Sequence, residues 1–134
     1  MPPSDGGLTQ RLVAIASGID AAALPASVVE RTKDLVADHL GVALRGFDEA
    51  WTRIVREQVA GERAAAVAAI YDGGATSARS AALVNGTAGH ALELDDTHDR
   101  SLTHPGTVVI PAALATAQLA RVSGAQTIAA IVAG

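Results

Sequence analysis

Val28-Val29-Glu30-Arg31-Thr32-Lys33-Asp34-Leu35-Val36-Ala37-Asp38-His39-Leu40-Gly41-Val42-Ala43-Leu44-Arg45-Gly46 is the stretch on which the fold class turns. Val28, Thr32, Leu35, Val36, Leu40, Ala43 and Leu44 recur at helical spacing, and Glu30, Lys33 and Asp34 fall on the opposite, wet side. Gly46 is a natural end for such a helix, because glycine enters the left-handed C-terminal conformation without a Cβ penalty. One long amphipathic helix of this kind must bury its stripe against other elements. The same period recurs on both sides of it.

Upstream, Leu8, Leu12, Ile15, Ala16 and Ile19 predict a short helix that Gly18 and Asp20 close. The opening segment from Met1 to Gly7, with Pro2, Pro3, Gly6 and Gly7, carries no apolar signal core and reads as a flexible leader. Downstream, Asp48 is placed to cap a third helix through Trp51, Ile54, Val55 and Val59, ending near Gly61. The residues from Val67 to Tyr71, ahead of Asp72-Gly73-Gly74, fit either a short strand or a frayed helix, and periodicity leaves both open. Ser77 can cap a fourth helix running through Leu83, His90 and Leu94, with Gly86 and Gly89 allowing a close backbone approach. A polar stretch from Asp95 to Gly106 follows. Helical spacing resumes from Val108 to Val122 with Pro111 in the first turn, breaks at Ser123-Gly124, and starts again from Ala125. The expectation is an all-α domain over residues 8–134, with a short strand near 67–71 as its one departure.

Composition narrows the function classes. Of 134 residues 49% are hydrophobic, but alanine supplies nearly half of these and only 2% are aromatic, so helices must approach closely to bury enough area. Nine arginines and the single Lys33 are scattered against a formal charge of -4, without the basic stripe that nucleic acid requires. No nucleic-acid partner is expected. The absence of cysteine removes disulfides and thiolate chemistry and fits a cytoplasmic setting. The longest apolar run, from Ile128, is too short to span a bilayer, so no membrane role is expected.

Chemistry-bearing side chains concentrate in Asn85-Gly86-Thr87-Ala88-Gly89-His90-Ala91-Leu92-Glu93-Leu94-Asp95-Asp96-Thr97-His98-Asp99-Arg100-Ser101-Leu102-Thr103-His104-Pro105-Gly106. Carboxylates beside imidazoles at a helix end suit acid/base chemistry, since histidine exchanges protons near neutral pH and a carboxylate can orient it. The same atoms also suit a metal. Asp95, Asp96, His98 and His104 have the right donor types for one but no recognised ligand spacing, so no metal is expected. His90 reads as packing along its helix, Asn85 as bonding its own surroundings, and His98 and Asp99 as solvated.

The run from Ala81 to Pro105, with its Asn-Gly-Thr opening, its His90 to Asp96 centre and its Leu-Thr-His-Pro close, resembles the signature region of the MmgE/PrpD family. Weaker echoes lie in Asp38-His39-Leu40-Gly41 and in Ala129-Ala130-Ile131-Val132-Ala133-Gly134. The resemblance implies the N-terminal part of a helical domain of a dehydratase, decarboxylase or epimerase acting on small polycarboxylates such as 2-methylcitrate, cis-aconitate and iminodisuccinate. It implies no cofactor, and a homodimer or association with the remainder of the enzyme. A chain covering roughly the first third of such an enzyme would be inactive alone. Carried over by position, it points to His104, Glu93 and Thr97 as catalytic residues, with Asp96 and Asp95 beside them. The family's lysines fall outside this stretch. A non-catalytic pairing module is the competing expectation.

Overall fold

The computed structural model describes residues 7–134, and the leader expected at the N-terminus falls almost wholly outside that range. Among the described residues the chain forms six α-helices, one 3-10 turn (Ala21–Ala23) and one small hairpin: α1 (Leu8–Ser17), α2 (Ala26–Gly46), α3 (Ala50–Ala60), β1 (Ala68–Ala69), β2 (Ala75–Thr76), α4 (Ala78–His90), α5 (Pro105–Ala120) and α6 (Gly124–Ala133). The all-α expectation holds, and the open choice near 67–71 resolves as a strand. None of the described helices is long and apolar enough to cross a membrane.

Helix α4 is the hub, packed against α5, α2 and α3. Its buried side is Ser80, Ala81, Val84, Asn85, Ala88 and Gly89, all small, which lets neighbouring backbones come close. Gly46 of α2 rests on the Ala88 carbonyl, with no room for a Cβ. That contact, and not a left-handed cap, is why glycine stands at the end of α2. Gly86 lies under the Thr107 carbonyl of α5, where a Cβ would sit 2.9 Å from the oxygen. Pro111 frees that carbonyl: it lies inside α5, which begins at Pro105, rather than in the first turn as the sequence suggests, and it lacks the N–H that would bond four residues back.

The buried stripe of α2 runs through Thr32, His39, Ala43 and Gly46, while Leu44 is exposed. The apolar pattern had placed Leu44 on the inner face and passed over His39. In α3 the buried residues are Thr52 and Val59, with Trp51 and Ile54 turned outward. Asp48 does not cap α3. Its carboxylate pairs with Arg45 at 3.3 Å and its carbonyl accepts from Arg53 at 2.8 Å, so Glu49 takes the cap position without a side-chain bond. Ser77 does cap α4, accepting from the Ser80 N–H at 3.2 Å.

The core gathers Ala43, Phe47, Val59, Ile70, Val84 and Ala88, with a smaller cluster of Ala68, Ala81 and Ala115 beyond it. A hairpin with two-residue strands cannot hold itself in water, and here side chains from the helices hold it. Asn85 of α4 donates to the Ala69 carbonyl at 3.0 Å and accepts from the Tyr71 N–H at 3.1 Å. Gln118 of α5 accepts from the Ala69 N–H at 2.8 Å, and Arg56 of α3 pairs with Asp72 in the turn. Gly73 and Gly74 supply the positive φ angles, 121° and 88°, that close the turn.

Candidate functional site

Helix α4 stops at His90, one turn earlier than the pattern through Leu94 predicts. Glu93 takes a left-handed conformation at φ 51°, its N–H bonds the His90 carbonyl at 3.2 Å, and the chain turns back on itself. That reversal carries Asp95 under the helix end, where its side chain is only 2% exposed. From His98 to Thr103 the chain makes a tight turn closed by His98 N–H to Thr103 carbonyl at 2.8 Å, with Leu102 at φ 53°. Helix α5 then starts at Pro105, with His104 in the cap position.

Three side chains converge at this joint. His90 Nδ1 lies 3.1 Å from both oxygens of Asp95, and His104 Nδ1 lies 3.4 Å from Oδ2. The two imidazole rings stand 4.6 Å apart, centre to centre, inclined at 60°. A buried carboxylate needs partners to offset its desolvation, and the partners of Asp95 among the described residues are these two imidazoles. Such a carboxylate can hold either ring in one orientation and stabilise its charged form. Only the His90 contact is aligned as a hydrogen bond; His104 Nδ1 is buried without one.

Asp96 has a different place. Both its oxygens accept from the Gly106 N–H, at 2.9 and 3.2 Å, so a carboxylate sits on the N-terminus of α5, where the helix dipole favours it. Gly106 is glycine because a Cβ there would collide with that carboxylate. Thr107 ties the same turn to α4 by donating to the Gly86 carbonyl at 2.9 Å. Glu93 and Thr97 are both exposed, and neither side chain makes a hydrogen bond to a described residue. Of the five residues singled out by position, the structure thus brings His104 and Asp95 together, uses Asp96 as a brace, and leaves Glu93 and Thr97 facing outward.

Two histidines depart from their sequence reading. His90 does not merely pack along its helix, since its ring is bonded to Asp95; the signal for it was the five-residue spacing to an acid past a helix end. His39, on α2, is 2% exposed, has no hydrogen-bond partner on either ring nitrogen, and presses against Gly89. It meets the Tyr71 ring edge-on at 5.8 Å. Burial lowers its pKa below 6.5, a shift that the nearby charges of Asp95, Asp96 and Asp38 partly oppose. His39 is therefore a neutral ring packed beneath the site.

A cavity of about 460 Å³ adjoins His90, lined also by Trp51, Leu83, Thr87, Thr107 and Val108. A larger apolar cleft of about 600 Å³ lies between α5 and α6, among Val109, Ala113, Ala117 and Ala130, but no titratable side chain lines it. The titratable side chains gather at the joint and not along the larger cleft.

Residues 10–134 match the MmgE/PrpD N-terminal domain. The chain belongs to the MmgE/PrpD family. Its relatives include cis-aconitate decarboxylase of Aspergillus terreus, 29% identical over 114 residues that make up 84% of this chain and 23% of that protein. The cis-aconitate decarboxylase of A. terreus strain NIH 2624 / FGSC A1156 matches with the same identity and coverage. The chain thus spans about a quarter of the length of these MmgE/PrpD relatives. The matched range takes in the joint between α4 and α5 and the helices on both sides of it.

Proposed function

We propose that this domain supplies part of the active site of a cofactor-independent lyase acting on a small polycarboxylate, of the 2-methylcitrate dehydratase or cis-aconitate decarboxylase type. The observation that carries the proposal is the buried Asp95 carboxylate set between His90 and His104. A lyase of this kind removes a proton from, or returns one to, a carbon next to a carboxylate while hydroxide or carbon dioxide leaves. His104 is the proton carrier in this reading, and the buried Asp95 carboxylate beside it offsets the charge of its imidazolium form. Thr97 and Glu93 stand exposed on the same loop, where Thr97 is available to donate to a substrate carboxylate. Asp96 serves by fixing the first turn of α5, which carries His104 in its cap position.

The developing negative charge needs cations, and Arg100 is the one in this loop. Further cations would come from the remainder of a longer protein or from a partner subunit, in keeping with a homodimeric, cytoplasmic enzyme. The test is turnover of cis-aconitate and of 2-methylcitrate by the full-length protein and its His104→Ala variant. Loss of about 10²–10⁴-fold in kcat with an unchanged fold is the expected result for a positioned acid/base group. Unchanged kcat on the accepted substrate would remove His104 from the reaction.

A further inference from the structure

We infer that His90, Asp95 and His104 form a binding site for one divalent transition ion of the Zn²⁺ kind. One donor atom from each residue lies within 4.8 Å of the donors of the other two. Around a Zn²⁺ ion with bonds of about 2.0–2.2 Å, two ligands at a tetrahedral angle stand about 3.4 Å apart. The two Asp95-to-imidazole separations, 3.1 and 3.4 Å, already have that length. The imidazole-to-imidazole edge is the one that has to shorten. The His90 side chain, 45% exposed, has the freedom to close it.

Two further features separate this cluster from a chance meeting of polar groups. Asp95 is almost fully buried, and no lysine or arginine among the described residues pairs with it, so a carboxylate is held out of water with only imidazoles for company. His104 Nδ1 is buried without a hydrogen-bond partner while facing that carboxylate, which leaves its lone pair uncommitted when the ring is in the matching tautomer. Two nitrogen donors and one carboxylate suit Zn²⁺ and its neighbours in the first transition row, and do not suit the all-oxygen preference of Mg²⁺ or Ca²⁺. Three protein donors leave a fourth position open to water or to a carboxylate ligand.

The set differs from the one that sequence order suggests. His98 and Asp96, which stand closer in sequence to Asp95, are committed elsewhere: His98 Nδ1 to Ser101 Oγ at 2.6 Å, Asp96 to the Gly106 N–H. His90 replaces them because α4 ends where it does. Occupancy by the metal and proton transfer by His104 are mutually exclusive, so the site also predicts inhibition by Zn²⁺ if the proposed lyase reading holds. Binding itself does not rest on that reading.

Isothermal titration of the purified chain with ZnCl₂ tests the site directly. The expected result is one ion per chain, with affinity lowered roughly tenfold or more in His90→Gln and in His104→Gln, and unchanged in His98→Gln. His90 is partly exposed, so its replacement tests the site even where His104→Gln loosens the loop. Absence of binding, unaltered binding by His90→Gln, or an equal loss in His98→Gln would each overturn the assignment, the last by showing general surface-histidine affinity.

Discussion

His39 shows how a single side chain ties the stability of this domain to pH. Its ring is buried against Gly89 and Tyr71 with no hydrogen-bond partner, and burial holds its pKa below the ordinary 6.5. The unfolded chain therefore binds a proton more readily than the folded one. Stability from this group is complete above pH 6.5 and falls as pH drops below it toward the lower folded pKa. Urea unfolding just above and well below pH 6.5 should show a falling midpoint in the wild type and a smaller fall in His39→Leu; equal slopes in the two proteins would refute the account. Tyr71 acts at the other end of the scale, its hydroxyl pushed up to about 12 by burial, so its contribution fades as pH rises from 10 toward 12. Neither the burial of His39 nor the half-burial of Tyr71 was legible in the sequence. Position 39 lies on the same stripe as Thr32 and Ala43, but a polar ring at helical spacing gives no sign of being inside until the glycine facing it is known. Likewise His90 gained its partner only through the left-handed turn at Glu93, a conformation that non-glycine residues rarely announce.

Between elements, the joint of α4 and α5 is held by polar contacts that the sequence half revealed. Ser77 as the cap of α4 and the breaks at Gly18, Gly61 and Ser123-Gly124 follow from ordinary helix signals, whereas the start of α5 at Pro105 lies three residues ahead of the Val108 that the spacing suggests. Asp48 does not cap because its carboxylate is turned to Arg45, a pairing that the cap signal alone does not weigh. Asp96 works as a cap from ten residues away, beyond the reach of any local rule. Asp96→Ala should lower stability by about 1 kcal/mol, the usual worth of a capping side chain, measured by urea denaturation. Asn85→Ala should cost more, about 2 kcal/mol or above, because it leaves the Ala69 carbonyl and the Tyr71 N–H of the hairpin without their partner. If Asn85→Ala proved the milder of the two, the hairpin would not depend on α4 in the way the contacts indicate.

At the scale of the whole chain, alanine richness and scarce aromatics correctly foretold close helix packing, and the hub role of α4 is its outcome: Gly46, Gly86 and Gly89 mark three places where another element comes within a methyl group's width. What composition could not foretell is how unevenly burial is shared. Helices α1 and α6 contain no fully buried residue, whereas α4 contains six. The outer faces keep Leu44, Trp51, Ile54, Val108 and Leu119 more than half exposed. Local opening free energy follows the apolar area each element buries, so stability within the isolated chain should be graded and not uniform. Amide hydrogen exchange should find the slowest protons in α4, from Ala81 to Ala88, and the fastest helical protons in α1 and α6. Since α6 leans on α5 through half-buried side chains alone, it should exchange faster than α5 although its Ser123 cap, accepting from Gln126 N–H at 3.3 Å, is intact. Protection in α6 equal to that in α4 would mean that its apolar face is covered in solution, which points to self-association, and sedimentation of the same sample would then find a dimer.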